Sequence, residues 1–184
     1  KRQAPSLVLV DSGDQTDMVY DFCVDTAEYT LPSKGASKKL ETDYKISTIN
    51  KAGSRATGHP LVMVDTSKYK DRIAARMARK NGNGAWMVFR GIDDEYAAQV
   101  TAEHKINERQ ANGKIVQKWV PKGSHKDNHY LDAEVYAMAA ADIRGARTWH
   151  LDKYEPSEAP KKSRSGSEAK EEQWIRENEL EGWI

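Results

Sequence analysis

The sequence predicts an α/β domain, because short apolar strands alternate with helical patterns along most of its 184 residues. Two of these strands, Leu7–Val10 and Pro60–Val64, are continuous apolar runs of the kind that is buried on both faces of a sheet. An aspartate follows each run, Asp11 in the first case and Asp65 in the second, and a helical pattern comes next. This order is how α/β folds present carboxylates at the carboxyl edge of a sheet.

The composition narrows the class of protein. Hydrophobic residues make up 38% of the chain, enough for a core, and the net charge of +1 means that any nucleic acid must be bound by a local basic patch. The single cysteine, Cys23, excludes an internal disulfide and disfavours a cysteine-based zinc site. No apolar run approaches the roughly 20 residues of a membrane span. We therefore expect a cytosolic protein without a membrane partner, and a start without methionine suggests a piece of a longer chain.

After the first strand we predict a helix with Met18, Val19, Phe22 and Cys23 on its apolar face, and then a brief strand at Tyr29–Leu31. Apolar residues become sparse from Lys34 to His59. This stretch is interpreted as an exposed, mobile excursion with a possible strand from Tyr44 to Ile49. Its excess of lysine fits phosphate contacts, although simple solvation explains it equally well; the lysines concerned include Lys34, Lys38 and Lys39.

The strand at Pro60–Val64 is followed by a predicted helix from Thr66 to Lys80, with Tyr69, Ile73 and Met77 facing inward. The outward residues form the densest positive surface of the chain: Lys68, Lys70, Arg72, Arg76, Arg79 and Lys80. Next come a predicted strand at Ala85–Phe89, a helix that opens at Asp93–Asp94 and runs through Glu103, and a hairpin of Lys105–Arg109 with Lys114–Val120.

A helix from about Asn128 to Gly145 sets one acid beside an apolar stripe. Leu131, Val135, Met138 and Ala139 recur at helical spacing, and Asp132 lies in the first turn. A carboxylate held there by a rigid helix is well placed to bind a metal. The alternative is that Asp132 only favours the helix N-terminus through the helix dipole.

Residues 153–184 differ from the rest of the chain. A proline- and serine-containing stretch with no apolar pattern reads as a flexible linker, and a hydrophobic tail follows it. This tail suggests docking onto the domain or onto a partner.

Five short blocks follow one another in a recognisable order: Val8–Gly13 with Val19–Tyr20, then Lys34–Ser37, Asp65–Lys68, Lys118–Trp119, and Asn128-x-x-Leu131-Asp132-x-x-Val135-Tyr136-Ala137-x-Ala139-Ala140. In these blocks the sequence resembles the C-terminal nuclease domain of the lambda-type (GpA-like) phage terminase large subunit, from about Leu7 to Ile143.

The resemblance implies that residues 1–152 form a nuclease domain with a ribonuclease H-like mixed sheet flanked by helices. It also implies that this domain cuts concatemeric viral DNA with two Mg²⁺ or Mn²⁺ ions. By matching position, Asp11 and Asp132 would bind the metal and catalyse, with Asp65 as a further catalytic candidate. The expected DNA contacts are Lys34, Lys38, Lys39, Lys68, Arg72, Arg76 and Arg79. The implied partners are double-stranded DNA, the terminase small subunit and the portal protein, in the host cytoplasm.

The sequence departs from the family pattern in two places. The resembled fold draws a carboxylate from a first strand that should lie upstream of Leu7, so the sheet and the site are expected to be incomplete in this chain. The family often has Glu where this chain has His129. His125 and His129 lie four residues apart and form a weak candidate zinc pair. No phosphate-binding loop of an ATPase is present in the sequence.

Two main hypotheses follow. The first is a metal-dependent DNA endonuclease domain. The second is a non-catalytic DNA-binding or assembly module of the packaging machinery with an incomplete metal site, which the missing carboxylate favours for this chain. A third and weaker hypothesis is another ribonuclease H-like enzyme, such as a resolvase.

Overall fold

A computed structural model describes residues 5–80, 84–124 and 127–146. Its elements are β1 (Val8–Asp11), α1 (Thr16–Asp25), β2 (Thr30–Gly35), β3 (Tyr44–Thr48), β4 (Pro60–Val64), α2 (Thr66–Met77), α3 (Asp94–Val100), β5 (Glu103–Arg109), β6 (Ile115–Pro121) and α4 (His129–Ile143). Four strands form a mixed sheet in the order β1-β2-β4-β3, while β5 and β6 pair separately as an antiparallel hairpin. The predicted α/β class with a mixed sheet flanked by helices is confirmed.

The main core lies between the sheet and two helices. Val62 and Val64 of β4 pack with Tyr69 and Ile73 of α2, and the α4 residues Leu131, Val135 and Ala139 complete the cluster. Of the predicted α4 stripe, only Met138 is partly rather than fully buried. The helical spacing of these apolar residues therefore located this buried face correctly.

Tyr69 combines a fully buried ring with a hydroxyl that donates a 3.0 Å hydrogen bond to Oδ2 of Asp142 on α4. Arg72 also binds Asp142 and contacts Asp43. Burial, with the adjacent charge of Asp142, raises the pKa of Tyr69 far above the usual value of about 10. The folded protein therefore keeps this phenol protonated at a pH where the unfolded chain loses the proton.

We expect Tyr69→Phe to reduce the alkaline loss of stability. A group whose pKa is raised on folding contributes stability below its unfolded pKa, and that stability is lost as the pH rises above it. Above about pH 10 the wild type should lose roughly 1.4 kcal/mol per pH unit more than the variant. Urea unfolding at pH 8, 10 and 10.8 measures this difference. Parallel slopes for both proteins would contradict it.

Strand β2 is longer than the sequence suggested. It continues beyond the predicted Tyr29–Leu31 through Pro32 and Ser33 to Gly35, and so includes the first two residues of the predicted excursion. Parallel pairing on both sides, with β1 and with β4, explains the extension. Ser33 takes part in the pairing through its side chain, because its hydroxyl donates to the carbonyl of Val10 at 3.1 Å.

The excursion predicted from Lys34 to His59 is only partly exposed. The possible strand is confirmed as β3, which pairs antiparallel with β4. Ile49 and Ala56 are buried with Tyr20 of α1 in a second small core. Two ion pairs, Lys51–Asp17 and Arg55–Asp25, attach the loop to α1. Because apolar residues are sparse in this stretch, the sequence pattern did not predict these contacts.

The predicted strand at Ala85–Phe89 is wrong. The segment forms no ladder with any strand of the described structure. Trp86 packs against the main core, whereas Met87 and Phe89 are largely exposed. Two boundaries also differ, since α2 ends at Met77 and α3 ends at Val100. Glu103 starts β5 instead of closing a helix.

No helix in the described ranges is long and apolar enough to cross a bilayer. The predicted linker and hydrophobic tail at residues 153–184 lie outside the described residues.

Candidate active site

Asp11 and Asp132 line the same groove, a cavity of about 600 Å³ between β1 and α4. Asp11 is the last residue of β1, and its Oδ1 accepts a 3.0 Å hydrogen bond from the backbone N–H of Gly13. Asp132 lies in the first turn of α4. Apolar side chains line much of the groove, among them Leu9 of β1 and Ala133 and Ala137 of α4. The two aspartates singled out in the sequence thus come from distant parts of the chain to one site.

Tyr136 joins these acids. It lies one helical turn after Asp132 and lines the same groove as Asp11. Burial is the main cause that raises the pKa of Tyr136 well above its ordinary value, and the charges of Asp11 and Asp132 add to it. A Cβ atom on Gly35 would lie 4.0 Å from the Tyr136 hydroxyl oxygen, so the end of β2 also borders this phenol. Tyr136 is therefore protonated at physiological pH, and its hydroxyl group faces the charges of Asp11 and Asp132.

Lys70 approaches Asp132 from the other side. Its Nζ lies 3.2 Å from Oδ1 of Asp132 and donates to both carboxylate oxygens of Glu103, at 2.8 and 2.9 Å. The side chains of Lys70 and Glu103 are only 10% and 6% exposed. The interpretation of Lys70 as part of an outward basic surface is wrong, because two carboxylates stabilise its ammonium group in a nearly buried position.

Glu103 also binds the start of α4. The side-chain amide of Asn128 donates to Oε1 of Glu103 at 2.7 Å and makes no capping hydrogen bond to its own helix. The sequence offered no signal for this link, since Glu103 matched a helical pattern. Tyr136 was detectable in principle, because a residue four positions after Asp132 must share its helix face.

Asp65 occupies a different environment. It is the N-cap of α2, where its Oδ1 accepts from the N–H of Lys68 at 3.2 Å and its Oδ2 accepts from the N–H of Leu40 at 3.0 Å. The register pairs Asp11 with Ser33 and Ser33 with Val62, three residues before Asp65. With about 4.8 Å between strands and 3.3 Å per residue, the Asp65 and Asp11 Cα atoms lie roughly 14 Å apart. The structure therefore places Asp65 outside the groove pair.

The predicted DNA-contacting residues divide into two groups. Three have intramolecular contacts: Lys68 donates to the carbonyls of Leu40, Glu41 and Thr42 at 2.8 to 3.0 Å, Arg72 binds Asp43 and Asp142, and Lys34 lies 5.8 Å from the Tyr20 ring centroid. The others have exposed side chains: Lys38, Lys39, Arg76 and Arg79, of which Arg79 also takes part in an intramolecular interaction.

The carboxylates of the groove provide some of the oxygen ligands that a hard cation needs. Within the described ranges, no three His, Cys, Asp or Glu residues gather closely enough to form a metal-binding group. The groove nevertheless offers two carboxylates, and magnesium is commonly held by one or two carboxylates together with water and substrate phosphates. Asp11 and Asp132 therefore fit an open Mg²⁺ or Mn²⁺ site better than a closed cage.

His129 lines the groove beside Asp132 and is exposed. Its candidate zinc partner, His125, lies outside the described residues. Zinc prefers nitrogen and sulfur donors in tetrahedral sites, whereas the donors found here are mainly carboxylate oxygens. The chemistry of the groove favours magnesium or manganese over zinc.

Comparison with curated proteins and with solved structures finds no match to this chain. A family model does match, and it covers residues 1–152 of the 184. This match over most of the chain shows that the chain belongs to the family of the terminase large subunit gpA endonuclease domain.

Proposed function

We propose that this chain is the metal-dependent endonuclease domain of a phage DNA-packaging terminase, which cuts concatemeric double-stranded viral DNA by two-metal hydrolysis. One observation carries the proposal: Asp11 and Asp132, which are 121 residues apart by number, line one groove. Family membership supports a packaging-related endonuclease that acts on DNA. The small subunit and the portal are the proposed partners, and the host cytoplasm is the proposed compartment.

The geometry supports a role for each residue of the groove. Two divalent ions, when bound, would supply activation of water and stabilisation of the leaving oxygen of the phosphodiester. Asp11 and Asp132 would hold them, and the Tyr136 hydroxyl would orient Asp11 by donating to it. Asp65 would contribute by holding the loop at Leu40 against α2, a position from which it reaches the reaction only indirectly.

The proposed ribonuclease H-like fold needs one more strand. In the described part of the chain, β1 has a strand partner on one side only, and the groove runs along β1. A strand added at the open side of β1 would extend the sheet and bring a further carboxylate toward Asp11. The family resemblance implies such a strand.

The proposed DNA contacts are backbone contacts. Lys38 and Lys39 lie in the loop after β2, and Arg76 and Arg79 lie at the end of α2, all with exposed side chains. Such cations bind phosphates without reading bases, so sequence choice would come from a partner subunit. Lys34, Lys68 and Arg72 would have to share their present intramolecular contacts with a phosphate.

A non-catalytic DNA-binding or assembly module is the second candidate. The observation in its favour is that the described residues gather only two carboxylates at the groove. In this case the chain would bind DNA but would not cleave it.

Metal-dependent cleavage of supercoiled plasmid tests the proposed function. We expect nicked and linear products with Mn²⁺, none when EDTA removes the ion, and restored cutting when Mn²⁺ is added in excess. The control is the same chain with Ca²⁺, which binds oxygen ligands in a more flexible geometry. Plasmid that stays supercoiled in Mn²⁺, although the chain binds DNA, would contradict the nuclease and favour the non-catalytic module.

A further inference from the structure

We propose that Glu103 and Lys70 are positioning residues for Asp132, and that through them the start of the β5–β6 hairpin controls how the groove binds a divalent cation. This inference rests on the proposed function. It assigns a role to two side chains that lie outside the groove.

The first step is the position of the Lys70 ammonium group. It is nearly buried and contacts acids from two other elements, Glu103 at the start of β5 and Asp132 in the first turn of α4. One cation thus connects α2, the hairpin and α4. Because Lys70 contacts Oδ1 of Asp132, this carboxylate has a preferred orientation before any ion arrives.

The second step is the role of Glu103 as an anchor. Both of its oxygens accept from Lys70, and Oε1 also accepts from Asn128, the N-cap residue of α4. Glu103 therefore holds the first turn of α4 by two routes, one through Lys70 to Asp132 and one through Asn128. A carboxylate with these contacts cannot rotate without breaking several charge-assisted hydrogen bonds.

The third step is the accessibility of the second carboxylate oxygen of Asp132. In the described ranges, Oδ1 meets Lys70, while no hydrogen bond or ion pair is found at Oδ2. The Asp132 side chain is 41% exposed, and the residue lines the groove. An arrangement in which one oxygen is held and the other is accessible suits a carboxylate that binds a cation with its second oxygen.

The structure supplies a matched control. Lys105 donates to both oxygens of Asp71 at 2.7 Å, so that a second lysine–carboxylate pair joins α2 to β5 next to the first. Asp71 also accepts from the indole of Trp119 on β6. This pair resembles Lys70–Glu103 in charge and in the elements that it joins, but it has no contact with Asp132 in the described structure.

The experiment compares two charge-neutral double variants, Lys70→Met/Glu103→Gln and Lys105→Met/Asp71→Asn. Each removes one positive and one negative charge, so the net charge is unchanged, and the glutamine side chain in the first variant would retain an acceptor for Asn128. Mn²⁺ is titrated into each protein without DNA, and free Mn²⁺ is followed by its electron paramagnetic resonance signal. Circular dichroism and thermal unfolding confirm that each variant is folded at the temperature used.

We expect the Lys70/Glu103 variant to bind Mn²⁺ roughly 10- to 100-fold more weakly, the usual effect of losing a group that orients a metal ligand. The Lys105/Asp71 variant should stay within about twofold of the wild type, because its charges do not touch a ligand. Equal affinity in the wild type and the Lys70/Glu103 variant would overturn the positioning role. So would an equal loss in both double variants, since this would indicate general loosening of the hairpin.

A third variant separates this inference from the proposed function. Asp132→Asn should remove Mn²⁺ binding at the groove. If the wild type binds no Mn²⁺, or binds it as well after Asp132→Asn, then the metal site itself is refuted and the positioning role with it. If Asp132→Asn abolishes binding and the Lys70/Glu103 variant does not weaken it, only the positioning role fails.

Discussion

Substitution of Asp132 by asparagine is expected to reduce metal-dependent DNA cleavage by about a thousandfold or more, because metal assistance contributes several kcal/mol to such reactions. The side chain keeps its shape and loses the charge that would hold a cation in the groove. Asp11→Asn should have an effect of the same order, since Asp11 is the other carboxylate of the groove. Initial rates of plasmid nicking at saturating Mn²⁺ measure both effects.

Asp127→Asn is the matched control. Asp127 lies five residues before Asp132, and its side chain is 74% exposed, with Nε2 of His129 at 3.9 Å from its Oδ1. This substitution changes the net charge by the same amount near the same helix terminus, so it should leave the cleavage rate within about twofold. Cleavage by Asp132→Asn at the wild-type rate, or an equal loss in Asp127→Asn, would exclude Asp132 as a metal-binding residue.

The sequence was most informative where a regular pattern of apolar residues determines the local structure. Continuous apolar runs located β1 and β4, and the helical spacing of Leu131, Val135 and Ala139 located the buried face of α4. Acids at strand ends and in first helical turns are common by themselves, so it was the resemblance to the terminase nuclease family that predicted one site for Asp11 and Asp132.

The sequence was least informative where tertiary contacts override local pattern. Ala85–Phe89 has strand composition, but in the described structure it pairs with no strand, and Trp86 packs against the main core instead. In sequence Lys70 resembles the other basic residues of α2, and only the two acids that contact it make its near-burial stable. No local pattern reports which distant carboxylate reaches a given lysine, so long-range polar contacts of this kind were missed.

The same ion pair leads to the largest expected effect on stability. Lys70→Met alone should reduce the free energy of unfolding by about 3–5 kcal/mol, because it leaves the Glu103 carboxylate nearly buried without its cation. Adding Glu103→Gln should recover part of this loss, since the amide carries no charge to desolvate. Urea unfolding at pH 7 of the single and double variants gives both values and the coupling between the two sites.

Lys105→Met provides the comparison for this prediction. Its partner Asp71 has a side chain that is 43% exposed, so water can solvate the carboxylate when the lysine is removed. The expected loss is then only about 0–1 kcal/mol, the range of solvent-exposed ion pairs. If Lys70→Met also cost only about 0–1 kcal/mol, this would contradict the proposal that Lys70 stabilises the nearly buried carboxylate of Glu103. A large loss that Glu103→Gln does not relieve would instead assign the cost to packing of the lysine stem rather than to the buried charge.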